Sequence, residues 1–568
     1  MKASDYIASF ILQHGVNDVY GYIGGMITHL VDSIARTPGM RFIQTYHEQS
    51  AAFAAEGYAI ENDQLGVAIS TSGPGATNMI TGIADAWFGS VPVLYISGQV
   101  NSYEYKYDKP IRQQGFQETD IVSIVKPITK YTALVDKAEN LKYELEKAVY
   151  YAQSGRRGPV MLDICMDVQR TEINPAELRS FKPEGKADEL DIYDIKEVVN
   201  LLSKAQRPEI LLGAGAQGEK TKKLIDDFLS KTQIPAVCSL MGLGTVSADY
   251  PYYLGLLGSY GNRCANKSME TVDLLITVGS RLDTRQTGAK YQSFVERGTI
   301  IQVDIDKNEL NCHRLKNRIK VNDSAEHFLE ALLNEIQTVS NYSEWQKEIV
   351  KLKEEYNQER EVERVVNNKG PYSLMRCLNT ISQKNDVFVS DIGHNQMIAA
   401  QMLKLTGEQK YITSGGLAPM GFSLPISAGI AMANHERRVI SISGDGGFHM
   451  ASQSLMLISQ YNLPVIAVII NNQSLGMITQ FQSLYFEGRM NATTSEGGYC
   501  TPDFKKISES YGLKYYRIDD ALLEDKKLML DIFSNKNCVV EFVTDGLTTI
   551  SPKLEYNNPI YRPTPDLD

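Results

Sequence analysis

The sequence predicts an α/β protein with three doubly wound domains, each built on a parallel sheet. At 568 residues the chain is too long for a single hydrophobic core. Short apolar runs typical of buried strands alternate with helical patterns in three successive blocks. Polar stretches typical of connectors separate these blocks. We expect domains over residues 1–180, 190–345 and 365–548, followed by an extended tail over 549–568.

Thirteen apolar runs are the predicted strands of these domains. They are DVYGYI, RFIQTY, GVAIS, VPVLYISG and PVMLDI in the first block, PEILLGAG, IPAVCSL, DLLITVG and TIIQVDID in the second, and DVFVSD, YITSG, RVISIS and PVIAVII in the third. Between the last two runs, FHMASQSLMLISQYN predicts a helix with an apolar face of Phe448, Leu455, Met456 and Ile458. The two flanking strands should therefore be parallel neighbours. The charged stretch over 351–370 predicts a solvated helix and connector.

Composition and charge exclude several classes of function. The formal net charge of -11 argues against a nucleic-acid or anionic-membrane surface. No apolar run reaches the roughly 18 residues needed to span a bilayer, and the N-terminus lacks a signal-peptide pattern. The seven cysteines form no CxxC pair, which is typical of reduced thiols. We expect a cytoplasmic protein that binds neither nucleic acid nor a membrane.

Two polar side chains directly follow neighbouring predicted strands of the third block. Asp445 follows RVISIS and Asn472 follows PVIAVII. An Asp-Gly pair is also a hairpin signal, but here a helix follows instead of a second strand. Carboxylate and amide oxygens at one sheet edge suit Mg²⁺ that is shared with a phosphate. Gly446 and Gly447 would let the backbone approach a diphosphate at the N-terminus of the helix.

The spacing of these residues resembles the thiamine diphosphate signature. Asn472 comes 27 residues after Asp445. In that signature the Asp, the second Asn and a backbone carbonyl two residues later bind Mg²⁺ and the cofactor diphosphate, here Asp445, Asn472 and Ser474. Thiamine chemistry also needs a carboxylate beside the aminopyrimidine ring. Glu48 begins an alanine-rich helix after RFIQTY and is the candidate, although a lone acid at this position is more commonly a helix-start residue stabilised by the dipole.

Almost the whole chain resembles the acetohydroxyacid synthase (acetolactate synthase) family of thiamine enzymes. The motifs that carry the resemblance are GYIGGMI, YHEQSAAFAAEGYA, TSGPGATNMITGIADAWFGSVPVLYISGQV, GFQETDIV, DLLITVGSRLDTR, TSGGLAPMGFSLP and GDGGFHM with NNQSLGMITQFQ. The resemblance implies a pyrimidine-binding first domain, a central FAD-type domain and a diphosphate-binding third domain. It also places the cofactor between two chains, which implies a homodimer or homotetramer.

The resemblance implies roles for individual positions. Glu48 would be the activating carboxylate, Gly25 and Gln117 would line the reaction centre, and Phe116 would form a wall of the acceptor pocket. Met420 would support the bent cofactor and Met477 would contact the aminopyrimidine. The diphosphate would be bound by Gly393, His394, Asn395, Gly444, Gly446 and Gly447. The family binds FAD without a net redox step, and its site corresponds to Gly213, Gly215, Arg281, Arg285, Asp304 and Ile305. Arg285 also resembles an arginine near the carboxylate of the second substrate.

Several positions depart from the family pattern where acceptor choice is decided. Ile23 replaces a proline, and Phe481 replaces a tryptophan associated with bulkier 2-oxo acids. Ser474 stands where histidine is common in the family. In RLDTR, Thr284 stands where the family has the second Asp of FDDR. A tyrosine-rich segment over 101–114 is longer than usual. These departures leave the acceptor open.

The sequence therefore predicts an enzyme that decarboxylates pyruvate on thiamine diphosphate and transfers the hydroxyethyl unit to a carbonyl acceptor. Formation of acetolactate is the default expectation. The main alternative is a ketone acceptor, such as a nucleotide-linked keto sugar. A 2-oxo acid decarboxylase, a flavin-dependent oxidase and a non-catalytic binding protein are further alternatives.

Overall fold

A computed structural model describes residues 1–183, 193–366, 369–544 and 548–567. Within these residues, strands form three six-stranded sheets whose neighbouring strands are all parallel. The predicted fold class is confirmed. Most of the connector expected near 180–191 lies outside the described residues.

The first sheet is formed by residues before 166. Its strands are β1 (Asp18–Tyr22), β2 (Arg41–Gln44), β3 (Gly66–Ser70), β4 (Val93–Gln99), β5 (Tyr131–Val135) and β6 (Val160–Cys165). The helices that accompany it are α1 (Ala3–Gln13), α2 (Thr28–Arg36), α3 (Glu48–Asn62), α4 (Pro74–Asn78), α5 (Ile80–Gly89), α6 (Ile121–Val125), α7 (Leu141–Gln153) and α8 (Met166–Arg170). The strand order is β2-β1-β3-β4-β6-β5, so it reverses between β1 and β3.

The second sheet lies in the middle of the chain. Its strands are β7 (Pro208–Leu212), β8 (Ala236–Cys238), β9 (Tyr253–Leu256), β10 (Leu274–Val278), β11 (Thr299–Asp304) and β12 (Arg318–Asn322). The helices that accompany it are α9 (Ile195–Lys204), α10 (Glu219–Thr232), α11 (Arg263–Ser268), α12 (Thr284–Thr287), α13 (Lys307–Asn311), α14 (Ala325–Glu335), α15 (Ser343–Glu355) and α16 (Gln358–Val366). The order is β12-β11-β10-β7-β8-β9, the arrangement of a dinucleotide-binding fold, and it reverses between β7 and β10.

The third sheet repeats the topology of the first. Its strands are β13 (Val387–Ser390), β14 (Lys410–Thr413), β15 (Val439–Gly444), β16 (Val465–Asn471), β17 (Tyr515–Ile518) and β18 (Cys538–Val543). The helices that accompany it are α17 (Pro371–Ile381), α18 (His394–Met402), α19 (Ser423–Ala433), α20 (Asp445–Ala451), α21 (Leu455–Gln460), α22 (Gly476–Tyr485), α23 (Phe504–Ser510) and α24 (Lys526–Phe533). The order β14-β13-β15-β16-β18-β17 reverses between β13 and β15.

Five strands were missing from the sequence prediction, and four of them are edge strands. β5, β9, β12 and β17 each have only one neighbour and are partly exposed, so their apolar pattern is weak. The fifth, β18, is buried between β16 and β17 but contains Glu541. The Glu541 carboxylate accepts hydrogen bonds from Asn471 and Tyr515, which offset the cost of burying it. The apolar pattern of the sequence does not reveal these partners.

Two helix predictions need correction. The single helix expected after RVISIS begins earlier, at Asp445, and a short 3₁₀ segment over Ser452–Ser454 separates α20 from α21. Met456, expected on the apolar face, is exposed, whereas Phe448, Leu455 and Ile458 are buried. The charged stretch over 351–370 is not one solvated helix. It spans the end of α15 and all of α16, and Glu361 is buried against Arg263.

Helices α3 and α19 join the first and third sheets at very short range. A side chain at Gly57 would begin 2.4 Å from the Ile426 carbonyl oxygen, and one at Gly429 would begin 2.0 Å from the Ala54 carbonyl oxygen. Phe53 and Phe422 add an edge-to-face ring contact at 5.7 Å. The cores of the first and third sheets are therefore continuous.

The segment over 548–567 folds back and packs against the central part of the chain. Buried Arg263 donates to the Glu361 carboxylate at 2.8 Å and also to the carbonyl oxygens of Pro563 and Pro565. The backbone N–H of Leu554 donates to the Ser259 carbonyl at 2.6 Å. This segment therefore supports the loop that follows β9.

Replacing Gly429 by alanine should destabilise the fold. Alanine is favoured over glycine in a helix by about 1 kcal/mol, but overpacking against a backbone oxygen costs about 1–3 kcal/mol or more and no rotamer change relieves it. We expect Gly429→Ala to unfold at a lower urea concentration than the wild type, with unfolding monitored by circular dichroism. Gly158→Ala is the control, because its methyl group would meet only the flexible Lys130 side chain at 3.2 Å. Equal midpoints for the two variants would contradict the close helix contact.

Candidate active site

The predicted site residues cluster where the strand order of a sheet reverses. At such a point the loops after two adjacent strands turn to opposite faces and leave a crevice that binds ligands in doubly wound sheets. In the first sheet the crevice lies after β1 and β3, in the second after β7 and β10, and in the third after β13 and β15. Each sheet therefore has one candidate binding crevice at the carboxyl ends of its strands. We call this end of a sheet its binding edge, which differs from the outermost, or edge, strands.

Asp445 is the buried acid at the edge of the third sheet. It follows β15, which pairs in parallel with β16, so that Asp445 and the end of β16 share this edge. Only 1% of Asp445 is exposed. Its Oδ1 accepts a hydrogen bond from the Tyr499 hydroxyl at 2.6 Å, whereas its buried Oδ2 has no partner within the described residues. Burial raises the pKa of Asp445, although the Tyr499 hydroxyl and nearby backbone N–H groups favour its ionised form.

Asn472 and Ser474 lie in the tight loop after β16. The Asn472 Oδ1 accepts from the backbone N–H of Ser474 at 3.2 Å. The Ser474 hydroxyl is buried and has no partner in the described chain. Asn471 anchors the loop, because its side chain donates to Glu541 and accepts from the backbone N–H of Gln473 at 3.1 Å. The loop thus presents oxygen atoms beside Asp445.

The loop after β13 supplies Gly393, His394 and Asn395. Gly393 has a φ of 126°, a conformation that favours glycine, and precedes α18. The Asn395 amide donates to the Asp391 carbonyl at 2.6 Å, and its Oδ1 lies 3.8 Å from where a side chain at Gly444 would begin. His394 is buried with no partner for Nε2 in the described chain, and burial lowers its pKa to about 4.

Protein atoms explain why Gly446 and Gly447 lack side chains. A side chain at Gly447 would begin 2.5 Å from Asp391, whose carboxylate accepts from the backbone N–H groups of Gly421 and Ser423. One at Gly446 would meet Leu475, Tyr499 and Met420. Met420 therefore lies against the start of α20. The Met477 sulfur is 3.7 Å from the Tyr260 hydroxyl of the central sheet.

Glu48 is the buried acid at the edge of the first sheet. It is the first residue of α3 and follows β2. Its Oε2 accepts a hydrogen bond from the Asn78 amide at 2.9 Å. Its Oε1 lies 3.2 Å from where a side chain at Gly75 would begin. The loop after β3 therefore orients one carboxylate oxygen through Asn78 and places the α-carbon of Gly75 next to the other.

The same loop after β3 contacts Gln117 and the segment around Gly25. Gln117 has a φ of 63°, an unfavourable conformation for a residue with a side chain, and its carbonyl oxygen is 2.9 Å from where a side chain at Gly73 would begin. The Met26 N–H donates to the Thr71 hydroxyl at 3.3 Å, while Gly25 faces open space. Phe116 is 80% exposed, and Ile23 is also exposed.

Glu118 organises the tyrosine-rich segment beside Gln117. Burial opposes its ionisation, but backbone N–H bonds from Gln114, Lys106 and Gly115 outweigh burial and lower the pKa of Glu118. Tyr105 is buried against Tyr107, with ring centroids 5.1 Å apart. The segment is therefore a folded loop.

A cavity of about 1140 Å³ lies at the edge of the second sheet. It is larger than the roughly 300–1,000 Å³ of most small-molecule sites. Of the residues expected to bind FAD, Gly215, Arg281, Arg285, Asp304 and Ile305 line it. Gly213 does not line the cavity and packs behind it, where a side chain would begin 2.2 Å from the Gly279 carbonyl oxygen. Burial raises the pKa of Asp304 to about 6.

Helices and loops that accompany all three sheets line this cavity. Phe88 comes from the first, Met241 and Tyr260 from the second, and Gly415 from the third. The Gly415 N–H lies 3.1 Å from the Met241 sulfur. Because Tyr260 also contacts Met477, the cavity adjoins the edge that carries Asp445. Met241, Tyr260 and Tyr499 could not be found from the sequence because they lie outside the quoted motifs, and Asn78 lies within TSGPGATNMITGIADAWFGSVPVLYISGQV but was assigned no role.

Within one chain, a contact of α3 relates the position of Glu48 to that of Asp445. Ser50 near the start of α3 contacts Ser454 at 3.3 Å, and Ser454 lies beyond the C-terminal end of α20, whose first residue is Asp445. Glu48 and Asp445 thus lie towards opposite ends of α20. The α22 surface also carries exposed apolar side chains, among them Phe481 at 52% exposure, beside Tyr485 and Phe486.

The residues fit the cofactors that the sequence implies. The buried Oδ2 of Asp445, which has no partner in the described chain, suits a hard cation, and the unpartnered Ser474 hydroxyl lies in the neighbouring loop. The buried Nε2 of His394, which has no partner in the described chain, suits an anionic group. The central cavity has room for a dinucleotide.

Comparison with known protein families defines the class. Residues 1–124 match the thiamine pyrophosphate enzyme N-terminal TPP binding domain, residues 195–332 match the central domain, and residues 391–541 match the C-terminal TPP binding domain. The fold and its three edges are therefore those of an enzyme that depends on thiamine diphosphate (thiamine pyrophosphate).

Relatives identify the family within that class. The acetolactate synthase isozyme 2 large subunit of Escherichia coli is 36% identical over 521 residues, 90% of each chain. The acetolactate synthase large subunit of Lactococcus lactis is 32% identical over 94% of this chain and 93% of its own. The probable acetolactate synthase large subunit of Methanocaldococcus jannaschii is 34% identical over 96% of this chain and 92% of its own. This chain belongs to the acetolactate synthase family, whose cofactors are thiamine diphosphate, Mg²⁺ and FAD.

Two global features accompany the site. Among the described residues, no helix is both long and apolar enough to cross a membrane. All seven cysteines fall in the described ranges and are free thiols, four of them buried.

The buried His394 should make stability depend on pH. Its folded pKa of about 4 lies below the unfolded value, so its contribution is complete above about pH 6.5 and is lost as the pH falls towards 4. Between about pH 7.5 and about pH 5, this amounts to about 2 kcal/mol in the cofactor-free chain. Urea unfolding at both pH values should show a smaller difference for His394→Gln. His435→Gln is the control, because His435 is exposed. If the free energy of unfolding changes equally between the two pH values in the wild type and both variants, the lowered pKa of His394 is refuted.

Proposed function

We propose that this enzyme decarboxylates one pyruvate and joins the resulting two-carbon unit to a second pyruvate, forming acetolactate. The observation that carries the proposal is the pair of buried acids at corresponding edges of two sheets with the same topology. Asp445 has an unpartnered oxygen suited to a metal ion, and Glu48 has one carboxylate oxygen bound by Asn78 and the other next to Gly75. Membership of the acetolactate synthase family supports the same reaction.

The third sheet would bind the metal ion and the diphosphate. Asp445, Asn472 and the Ser474 carbonyl would bind Mg²⁺. Gly393, His394, Asn395, Gly444, Gly446 and Gly447 would surround the diphosphate. Met420 would support the cofactor from below and Met477 would contact its aminopyrimidine ring. When bound, thiamine diphosphate supplies the electron sink that makes decarboxylation of a 2-oxo acid feasible.

The first sheet would supply the proton-transfer group. Glu48 would exchange a proton with a nitrogen of the aminopyrimidine ring. Asn78 fixes the rotation of its carboxylate by donating to Oε2, so that the other oxygen can face the ring. Gly75 in the loop after β3 adds no side chain next to the Oε1 of Glu48. Gly25, Gln117 and Phe116 would surround the reacting carbons.

A second copy of the chain would complete each active site, in a homodimer or homotetramer. Glu48 and Asp445 lie towards opposite ends of α20 within one chain, which supports binding of one cofactor between two chains. The exposed apolar groups around Phe116 and Phe481 would then be covered, which excludes water from the reaction. The free thiols support a cytoplasmic location.

The central cavity would hold FAD between Gly215, Arg281, Asp304 and Ile305, with Gly213 shaping the turn behind it. Exposed Arg285 would also attract the carboxylate of the acceptor, because its guanidinium is permanently charged. Ile23 and Phe481 would line the acceptor pocket. A nucleotide-linked keto sugar as acceptor is not favoured, since the relatives that cover nine-tenths of the chain are named acetolactate synthases.

Incubation with pyruvate alone tests the reaction directly. Two pyruvates and one proton should yield one acetolactate and one CO₂, measured by mass spectrometry and CO₂ release. Acetaldehyde as the main product would instead indicate a simple decarboxylase. Acetate with oxygen consumption would indicate an oxidase, and cofactor binding without turnover would indicate a binding protein.

Glu48→Gln should bind thiamine diphosphate but slow proton exchange at the reactive carbon of the cofactor by about 10²–10⁴-fold, because an amide cannot exchange the ring proton. Hydrogen–deuterium exchange followed by NMR measures this rate. Glu197→Gln is the control, since Glu197 is also an acid in the first turn of a helix. A wild-type exchange rate in Glu48→Gln would make Glu48 a helix-start acid only.

Phe481→Trp should increase the preference for 2-oxobutyrate over pyruvate as acceptor. Phenylalanine leaves more room than tryptophan and lacks its N–H group, so the native pocket should discriminate weakly. One or two methylene groups in an apolar pocket are worth only about 1–3 kcal/mol, so one aromatic ring can decide the preference. The preference is measured by letting 2-oxobutyrate and pyruvate compete as acceptors and determining the ratio of the two products by chromatography. A strong native preference that the variant leaves unchanged would assign selectivity to another residue.

A further inference from the structure

Tyr499 contacts the candidate metal ligand although no sequence motif includes it. Its hydroxyl donates to Oδ1 of Asp445 at 2.6 Å. The same hydroxyl lies 3.1 Å from where a side chain at Gly446 would begin. Tyr499 therefore reaches the first turn of α20, more than fifty residues earlier in the chain.

The segment that carries Tyr499 is tied to the loop that carries the other metal-ligand candidates. Ser474 and Thr494 form an isolated antiparallel bridge, and the Leu475 N–H donates to the Thr493 carbonyl at 3.0 Å. The Tyr499 N–H donates back to the Thr494 carbonyl at 2.9 Å. These bonds form a short loop over 493–499 whose two ends are fixed next to Ser474. The position of Tyr499 is thus set by the same backbone that positions Ser474.

The two oxygens of the Asp445 carboxylate differ in their hydrogen bonding. Oδ1 is engaged by the Tyr499 hydroxyl, while Oδ2 is buried and has no partner in the described chain. A buried carboxylate oxygen without a partner is costly unless a ligand satisfies it. A hydrogen bond to one oxygen prevents rotation of the carboxylate and so directs the other towards a cation. Outer hydrogen bonds of this kind orient metal ligands in many sites.

We propose that Tyr499 is a positioning residue for the metal site. It holds the Asp445 carboxylate by Oδ1 and presents Oδ2 to the Mg²⁺ that accompanies the cofactor diphosphate. This inference rests on the proposed function, because it requires Asp445 to bind the metal ion. Tyr499 does not touch the metal ion in this arrangement and acts only through Asp445.

Binding of Mn²⁺ tests the role without relying on turnover. The full-length protein is freed of metal with a chelator and saturated with thiamine diphosphate, and free Mn²⁺ is measured by electron paramagnetic resonance. Tyr499→Phe should weaken Mn²⁺ binding by about 10- to 100-fold. Tyr511→Phe is the matched control, since the Tyr511 hydroxyl makes no hydrogen bond within the described residues. It should bind Mn²⁺ like the wild type.

Three further measurements separate positioning from general damage. Metal-free Tyr499→Phe should keep the circular dichroism spectrum and the cooperative unfolding of the wild type, with a melting temperature lowered only by the loss of one hydrogen bond. The Mg²⁺ concentration for half-maximal activity should rise, while kcat at saturating Mg²⁺ should be largely restored. Unchanged or tighter Mn²⁺ binding in Tyr499→Phe would overturn the inference, and tighter binding would mean that the hydroxyl competes with the metal ion.

Asp445→Ala distinguishes failure of the inference from failure of the proposed function. If Asp445→Ala binds Mn²⁺ as the wild type does, Asp445 is not a metal ligand and the proposed metal site is wrong. If Asp445→Ala loses Mn²⁺ while Tyr499→Phe keeps it, the metal site stands and only the role of Tyr499 is refuted.

Discussion

The contact between α3 and α19 determines how the two outer sheets are placed. Glycines at 57 and 429 let the helix backbones touch, so the relative position of the helices cannot adjust as it would across a layer of flexible side chains. α3 begins at Glu48, and α19 begins at Ser423, whose N–H is bound by Asp391. Asp391 in turn packs against Gly447. The helix pair therefore connects the acid of the first edge with the turn of the third through a short series of rigid contacts.

The buried polar groups near the end of β15 and β16 differ in how fully their hydrogen bonds are satisfied. Asp391, Asn471 and Glu541 have their hydrogen-bonding capacity largely engaged by backbone or side-chain partners, which makes the loops around them rigid. Asp445, Ser474 and His394 keep a buried polar atom without a partner in the described chain. Because such atoms cost free energy when unsatisfied, these three are the atoms of this edge that a bound ligand would satisfy.

The sequence was sufficient for the fold class and for residues that belong to spaced motifs. Asp445 and Asn472 could be placed together because parallel neighbouring strands end at the same edge. The residues that support them could not be placed, since Tyr499 reaches Asp445 through a loop without regular periodicity. Edge strands such as β12 were missed because half of their side chains face solvent. The sequence also gave no sign that Glu361 is buried, because its partner Arg263 lies 98 residues away.

The buried guanidinium of Arg263 has a consequence for the order in which the chain is completed during synthesis. Two of its acceptors, the carbonyl oxygens of Pro563 and Pro565, lie 300 and 302 residues further along the chain. At about 5–20 residues per second, a ribosome needs roughly 15–60 s to add them. Until then this cation lacks acceptors that it requires once water is excluded, and Ser259 lacks the N–H of Leu554. The surroundings of Arg263 and Ser259, although translated before the third sheet, are therefore completed only after the third sheet has been synthesised.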